Sequence, residues 1–461
     1  MKNFDVKELN VLTDKEIITN LLGIISDLRK EIKIIKENLS KYENPKNSKN
    51  SSVPPSQDAY RKTKSLRKKS NKKVGGQNGH KGSRLLKIDR PDKVILHDIS
   101  VCECCQSQLP DVGEIKSRQV FDIPEIKIEV TEHQTITKIC GNCGIQNKTN
   151  FPKDLIQEAQ YGNKIKAFIV YLQNYHMLPF KRCSELIKDL TGQNISEGSL
   201  ANFQAKSYKN LESYETEVKK ILLKSKVLHA DETGVRLNGK LHWMHVISNP
   251  LISYFGHHQK RGKEAINDFN IIPIYNGNLV HDRFASYFNY DCKHSLCNAH
   301  ILRELQYLWE TKKLKWVRNL SNLLVGIHHK IKQGKIYSSK EYQRTVCKFE
   351  QLIEPTIQKY NSIYTKTKEE RLAFALEKHK HLFLKFIKEK DVPFDNNQAE
   401  RDLRMIKVKL KISGCFREPN YANYFARIRG YITTLKKNKQ KVLLNIQKSF
   451  DGNPFLPNLA E

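Results

Sequence analysis

The stretch that decides the fold is KVLHADETGVRLN, residues 226–238, because it places a carboxylate at the end of a short apolar run. Val227 and Leu228 lead into Asp231, and Gly234 follows it. This pattern predicts a buried strand that ends at a functional site and then turns back. A charge in this position is costly unless a metal or another partner compensates it. Asp231 is therefore the first candidate site residue.

Two further acidic residues complete this arrangement. In NLVHDRFASYF an apolar run ends in Asp282, again at the tip of an expected strand. In DNNQAERDLRMIKVK either Asn396 or Asn397 can cap a helix whose first turn contains Glu400. The sequence thus predicts two strand-end aspartates and one helical glutamate.

Such a set of carboxylates predicts a divalent-metal site. Mg²⁺, or Mn²⁺ in its place, prefers a few carboxylate oxygens and keeps its other positions for water and phosphate. Two such ions about 4 Å apart activate an attacking oxygen and stabilise a leaving one. The alternative is that Asp231, Asp282 and Glu400 are ordinary surface acids among the 49 Asp and Glu residues of the chain. The apolar runs before both aspartates argue against it.

The charge of the chain indicates a polyanionic partner. Its 80 Lys and Arg against 49 acids give a formal net charge of +31, far beyond what solubility requires. We expect that partner to be double-stranded DNA. An AT-rich genome also raises the Lys content, so the charge alone does not decide the matter.

Length and hydropathy bound the domain organisation and the compartment. The 461 residues suffice for two to four domains, and 39% hydrophobic content can build real cores. The sequence shows no apolar run that could span a membrane and no signal peptide at MKNFDVKELN. We therefore expect a cytoplasmic, nucleoid-associated protein with no membrane partner.

The N-terminal segment, residues 1–41, has the pattern of a coiled coil. A helix is predicted over residues 13–39, starting with a Thr13-x-x-Glu16 capping box. Its apolar residues follow steps of three and four: Ile18, Leu21, Ile25, Leu28, Ile32, Ile35 and Leu39. The seam needs a partner, either a second copy or later domains of the same chain. We favour self-association, and hence a homo-oligomer.

Residues 42–98 are predicted to be a basic flexible linker. They are rich in Asn, Ser, Pro, Gly and Lys, which cannot bury a core. The segment 61–73 carries eight basic residues in thirteen and suits contacts with DNA phosphates. The alternative is a solvated tail with no fixed partner.

The segment 99–146 is predicted to be zinc-ribbon-like. Two CxxC pairs provide four thiolates with the spacing of a structural zinc site: Cys102, Cys105, Cys140 and Cys143. Cys104 does not fit this spacing and is interpreted as a bystander. Residues 123–139 alternate apolar and polar side chains, as ribbon strands do. The alternative is four buried thiols without metal.

The remaining chain is predicted to be a helical region followed by an α/β core. Residues 160–225 contain a helix, a turn at Gly192 and a second helix capped by Ser196, which is either a helix-turn-helix that binds DNA or a helical hairpin in the core. The strands and short helix in residues 226–300 follow the order strand, strand, strand, helix, strand, typical of a ribonuclease-H-like core. An all-helical insertion over 301–390 then precedes the second core part, 391–450, with the catalytic helix.

One further motif, Cys297-x-x-His300, could bind a metal. Two ligands at the start of one helix are an incomplete site, so the favoured interpretation is packing of that helix under the active site.

Together these residues resemble the insertion-sequence 66 family of bacterial DDE transposases. The matching motifs are NSKNSSVPPSQD, GGQNGHKG, the double CxxC, ADETG, HDRFASYF, CNAHILREL and NNQAERDLRMIKVKLKISGCFR, in this order along nearly the whole chain. The resemblance implies a ribonuclease-H-like catalytic domain whose acidic triad is Asp231, Asp282 and Glu400. It also implies a leucine-zipper-like N-terminus and a zinc-binding segment. Cys104 and the lack of a C-terminal segment seen in some members depart from the family.

The expected function is that of a DNA transposase. It would bind the inverted ends of its insertion sequence, hydrolyse a strand at each end and join the freed 3′-hydroxyl to target DNA, all by two-metal phosphoryl transfer. Arg401 and Arg404 are candidates for holding DNA phosphates, with a plain surface charge as the alternative for Arg401. Accessory proteins from the same element are possible partners. The alternatives are a nuclease of the same fold that cuts without joining, and a catalytically silent DNA-binding regulator.

Overall fold

The structure, a computed structural model, describes residues 14–43, 46–47, 50–51, 58, 79, 85–359 and 367–457. The predicted cap at Thr13 and the basic segment 61–73 lie outside the described residues. The chain divides into two units, one formed by residues 62–131 with 190–192 and one by the remainder. None of the described helices is both long and apolar enough to cross a bilayer.

The N-terminal helix α1 spans Asp14–Glu43, which confirms the helix predicted from the seam pattern. The seam residues are exposed in the single chain, from 42% for Leu28 to 63% for Ile35. A row of exposed apolar side chains along one helix is the form that a coiled-coil seam takes before it meets its partner. The coiled coil itself stays a prediction.

The ribbon predicted over residues 123–139 is mostly absent. Only its last residues form a strand, β1 (Thr137–Ile139), which pairs with β2 (Gln146–Lys148) in an antiparallel hairpin. The prediction was wrong because alternation favours a strand only where one face is buried. Here Ile123 is 78% exposed and Val130 85% exposed, so the apolar positions have no core to pack against.

Four helices precede the central sheet: α2 (Asn163–Asn174), α3 (Phe180–Thr191), α4 (Glu197–Asn210) and α5 (Glu212–Leu223). The predicted turn between α3 and α4 is confirmed, since Gly192 adopts a φ of 72°. The predicted cap is also confirmed, because Ser196 Oγ accepts the Ser199 N–H at 3.1 Å. Both helices bury apolar side chains, including Ile187 and Leu200, in the main core. The pair therefore contributes to the core, while its contact with DNA stays a prediction.

A five-stranded mixed sheet forms the centre of the larger unit. Its strands are β3 (Val227–Leu237), β4 (Lys240–Ser248), β5 (Ser253–His258), β6 (Asn278–His281) and β7 (Lys293–Leu296). Their spatial order is β5, β4, β3, β6, β7; β3 to β5 are antiparallel, whereas β6 and β7 run parallel to β3. Helix α6 (Lys263–Phe269) precedes β6. The predicted element order is confirmed, and the mixed sheet with its helices is consistent with a ribonuclease-H-like core.

Two details of the sheet differ from the sequence prediction. The first strand does not end near Asp231: β3 continues through Gly234 to Leu237, and the chain reverses at Asn238 and Gly239, both at positive φ. The Asn-Gly pair at 238–239 favours a two-residue hairpin turn, whereas Gly234 alone does not. The fifth strand, β7, was not predicted because it has four residues and its apolar run is too short to be recognised.

The predicted insertion is helical in its described residues. It comprises α7 (Asn298–Lys312), α8 (Lys315–Lys332), α9 (Ser339–Lys359), α10 (Lys368–Phe383) and α11 (Lys385–Lys388). These helices form a second hydrophobic cluster, which also includes Leu296 of β7. Its two ends meet at Asn298, whose side-chain Nδ2 donates to the carbonyl oxygens of Phe383 and Phe394 at 3.0 and 3.2 Å. The Asn298 backbone N–H also donates to Phe394 O at 3.1 Å.

Three helices follow the insertion: α12 (Asn397–Ser413), α13 (Pro419–Lys437) and α14 (Val442–Phe450). Helix α12 packs against β3 and β4, and α13 packs against β5. Helix α12, whose first turn contains Glu400, therefore lies against the strand that carries Asp231.

Candidate active site

The register of β3 and β6 places Asp231 and Asp282 beside each other. The last paired residues of these strands are His229 and Val280, and each aspartate lies two positions further along its chain. Asp231 lies within β3, and Asp282 directly follows the last residue of β6. The two aspartates, predicted from separate stretches of sequence, are close enough for the charge of Asp282 to raise the pKa of Asp231.

Each of these aspartates is oriented by a backbone N–H. Asp231 Oδ1 accepts the N–H of Glu232 at 2.9 Å, and Asp282 Oδ1 accepts the N–H of Phe284 at 2.9 Å. A carboxylate held in this way keeps its second oxygen at a fixed angle to the sheet, which suits a metal ligand.

Asn396 fixes the start of α12 against the sheet and so places Glu400. The residue is buried. Its Nδ2 donates to Ala230 O at 2.8 Å, and its Oδ1 lies 2.8 Å from His229 Nδ1. Its backbone N–H donates to Cys297 Sγ at 3.1 Å. The predicted helix cap is thus only partly confirmed: Asn396 holds the N-cap position, but its side chain bonds to β3 and makes no cap hydrogen bond.

The charges of the three predicted acids influence one another. The pKa of Asp231 is raised well above its usual range, first by burial and then by the charges of Glu232, Asp282 and Glu400. A negatively charged carboxylate nearby disfavours the ionised form of another carboxyl group. A divalent cation among them would reverse that repulsion, and oxygen donors of this kind are those that Mg²⁺ and Mn²⁺ prefer. The donor set therefore fits the predicted metal.

Glu232 lies beside Asp231 but faces the other side of the sheet. Its carboxylate is ion-paired with Arg261 at 2.8 Å and accepts a hydrogen bond from Tyr287 Oη at 2.6 Å. Tyr287 belongs to the 3₁₀ turn Ala285–Asn289, which follows Asp282. The buried network thus ties the loop that carries Asp282 to β3. Sequence reasoning did not select Glu232, although the ADETG motif contains it.

The residue before Asp282, His281, is buried and lies against the half-buried His294. His281 Nε2 lies 3.1 Å from His294 Nδ1 on the neighbouring strand. Burial, followed by the His294 charge, lowers the pKa of His281 to about 3, so the imidazole is neutral. The pair adds no positive charge that would compete with a metal at the acids.

Glu400 meets three side chains at the start of α7. Its Oε2 lies 3.4 Å from Arg303 Nη2, and its Oε1 lies 3.9 Å from His300 Nδ1. Cys297, His300 and Glu400 form a group whose potential ligand atoms all lie within 4.8 Å of one another. Burial raises the pKa of the Cys297 thiol to about 12. The third side chain that the Cys297-x-x-His300 motif lacked is therefore Glu400, which lies 100 positions after His300.

Lys407 is a basic residue near Asp231 that sequence reasoning did not select. Its ammonium donates to Gly234 O at 3.0 Å, and the nearby Asp231 charge opposes the lowering of its pKa by burial. It follows Glu400 by seven positions, which is two helical turns on the same face, and that spacing could have identified it. Arg401 and Arg404, selected from the sequence, are exposed on the same helix.

The two cysteine pairs adopt the same local turn. Cys102 N–H donates to Ser107 O at 2.9 Å and Cys140 N–H donates to Ile145 O at 2.9 Å. The fifth residue of each turn has a positive φ: 61° at Gln106 and 69° at Gly144. Each is thus a tight knuckle with two closely spaced sulfurs, as a zinc ligand pair requires.

Hydrogen bonds favour the thiolate form in each pair. Those from Ser107 lower the pKa of Cys105 to about 7, and backbone N–H groups of Cys143 and Asn142 lower the pKa of Cys140. The thiolate is the form that binds zinc. Cys104 is exposed within the first turn, in keeping with its interpretation as a bystander.

Comparison with known families yields three matches. The family model described as "Transposase IS66 family" matches residues 158–424, more than half of the chain. The model described as "zinc-finger binding domain of transposase IS66" matches residues 100–144. A family of unknown function matches residues 2–85. No curated protein matches the chain.

Proposed function

This chain belongs to the IS66 family of transposases, and from that premise we propose that it catalyses the cleavage and joining steps of transposition. The family implies a DDE enzyme that transfers phosphoryl groups in DNA. In our proposal the protein binds the inverted ends of its insertion sequence, hydrolyses one strand at each end and joins the 3′-hydroxyl to target DNA.

One observation supports this proposal: the charges of Asp282 and Glu400, which lie on segments far apart in the sequence, both raise the pKa of Asp231. These acids come from segments separated by 50 and 117 intervening residues. Surface acids chosen at random have no reason to converge in this way, and a cluster that raises the pKa of its own member is costly unless a cation offsets it.

The residues of the chain divide the chemistry among them. Asp231, Asp282 and Glu400 would hold Mg²⁺ or Mn²⁺, which supplies charge stabilisation for the attacking and leaving oxygens. Lys407, whose pKa is influenced by the charge of Asp231, would contact a phosphate oxygen of the bound strand. The exposed Arg401 supplies a second phosphate contact outside the cluster.

The organisation outside the core follows the same proposal. The segment 99–146 holds a structural zinc ion on its two cysteine knuckles, and the thiolate-stabilising hydrogen bonds of each knuckle support this. The basic linker 42–98 and the helices of 160–225 contact the element ends. The helix in residues 1–41 pairs two chains through its exposed seam. The core parts, 226–300 and 391–450, carry the acids, and 301–390 is the insertion between them.

The test is a set of isosteric substitutions in the acids. Asp231→Asn, Asp282→Asn and Glu400→Gln each remove a metal ligand with little change in shape. We expect each to abolish cleavage of labelled end DNA in Mg²⁺ or Mn²⁺, while gel-shift binding of the same DNA is retained. Asp268→Asn is the matched control, since this carboxylate lies on α6 with its side chain 61% exposed.

The outcomes separate the proposal from its alternatives. Cleavage near the wild-type level in any one acid variant would exclude that residue from the site. Wild-type protein that cuts but never joins a 3′-hydroxyl to plasmid DNA would be a nuclease. Binding without cutting, in every metal tested, would indicate a regulator.

A further inference from the structure

We propose that His300 is a ligand of the metal ion that Glu400 holds, so that this side of the site is a mixed imidazole and carboxylate site. The inference rests on the proposed function, because it concerns the metal of the same acid cluster. It adds a residue from α7 that the triad does not contain, and it makes a transition-metal ion, for which Mn²⁺ is the probe, favoured over Mg²⁺.

The geometry consists of two polar atoms that face each other without a partner. His300 Nδ1 and Glu400 Oε1 are both buried, and neither has a hydrogen-bond partner among the described residues. Their separation of 3.9 Å is too long for a hydrogen bond between them. Buried polar atoms nearly always have a hydrogen-bond partner or another ligand. Two such atoms that face each other without one therefore indicate a binding site for a ligand between them.

That separation suits two ligands of one ion. With metal–ligand bonds of about 2.1 Å, two ligands of the same ion lie about 3.0 Å apart at a right angle and about 4.2 Å apart when opposite. The observed 3.9 Å falls inside this range. No large movement of α7 or α12 is therefore needed to bring both atoms onto one cation.

The neighbouring side chains leave these two atoms available. The other oxygen of Glu400, Oε2, is held by Arg303 Nη2 at 3.4 Å, which turns Oε1 toward His300. Cys297 Sγ already accepts the backbone N–H of Asn396 at 3.1 Å. We therefore assign Cys297 a positioning role between α7 and α12, and His300 the ligand role.

The donor set determines the ion. Carboxylate oxygens alone suit both Mg²⁺ and Mn²⁺, whereas an imidazole nitrogen favours a transition-metal ion over Mg²⁺. Manganese is also a direct probe, because its unpaired electrons sense the nuclear spin of a bound nitrogen.

The experiment is electron-spin-echo envelope modulation on the full-length protein with one equivalent of Mn²⁺ and no DNA. We expect modulation from a directly bound ¹⁴N nucleus, which changes to a ¹⁵N pattern when the protein is produced with ¹⁵N-histidine. In His300→Leu the nitrogen signal should be lost and the Kd for Mn²⁺ should rise at least about tenfold. The matched control is His329→Leu, an exposed histidine on α8, which should change neither.

Two results would overturn the inference: wild-type protein whose bound Mn²⁺ shows no histidine nitrogen, or a nitrogen signal that persists in His300→Leu. The wild-type measurement stands even where the leucine variant fails to fold. Cleavage by wild type and its loss in Asp231→Asn, measured on the same preparations, report on the proposed function separately. An active enzyme with only oxygen ligands on Mn²⁺ would therefore refute the role of His300 and leave the transposase assignment intact.

Discussion

Replacing Asn396 with Ala should weaken the core and slow strand cleavage together. The change removes the hydrogen bonds to Ala230 O and His229 Nδ1, both at 2.8 Å, and leaves these buried groups unpaired. A buried polar group without its partner costs about 1–3 kcal/mol, so the two together should lower the free energy of unfolding by about 2–6 kcal/mol. Because Asn396 immediately precedes the helix that carries Glu400, a looser start of α12 should also move that carboxylate and reduce the cleavage rate.

The control is Asn397→Ala, one residue further along, where the side chain is exposed. This surface change should alter the free energy of unfolding by no more than about 0.5 kcal/mol. Both proteins can be compared by urea denaturation followed by tryptophan fluorescence, and by cleavage of labelled end DNA. The reasoning is refuted if Asn396→Ala unfolds at the same urea concentration as Asn397→Ala and cleaves at the same rate.

Three further predictions follow from other features. Changing Cys102 and Cys105 to Ser should release zinc and unfold the knuckle, because structural zinc contributes its binding energy to folding; unchanged zinc in metal analysis of the purified variant would contradict the assignment. Asp at both Leu28 and Ile32 should split the seam, since unpaired charges buried there cost several kcal/mol each; light scattering that finds the wild-type oligomer would place self-association elsewhere. The raised pKa of Asp231 means that the metal-free native state keeps this proton to a higher pH than the unfolded chain does, so its stability falls as the pH rises above about 3.9. Metal-free Asp231→Asn should therefore melt above the wild type at pH 7 and converge with it near pH 4; equal melting at both pH values in calorimetry would argue against the burial of this charge.

The sequence predicted those features whose cause is local. Asp231 and Asp282 stand at the ends of apolar runs, and that pattern needs no knowledge of the fold. The turn at Gly192 and the cap at Ser196 depend on neighbouring residues only. The heptad spacing around Leu28 likewise predicts a helix directly, although it says nothing about the partner.

The features that sequence reasoning missed depend on contacts between distant segments. Asn396 was expected to cap its own helix, but its side chain bonds to a strand more than 160 residues earlier. Glu400 completes the group begun by Cys297 and His300 only because α12 returns to the start of α7. The prediction of a ribbon near Val130 was wrong because the alternating pattern is local, whereas the buried face that a strand requires depends on distant segments and is absent.

The junction at Asn298 has a consequence for how the protein can be altered. The segment α7 to α11 leaves the core and returns to it at almost the same point. There Asn298, the first residue of α7, donates three hydrogen bonds to the carbonyl oxygens of Phe383 and Phe394. The spacing of the two ends is set at this junction and does not depend on what lies between them. Segments of other lengths could therefore replace the distal helices, in relatives or by design, without displacing Asp231, Asp282 or Glu400.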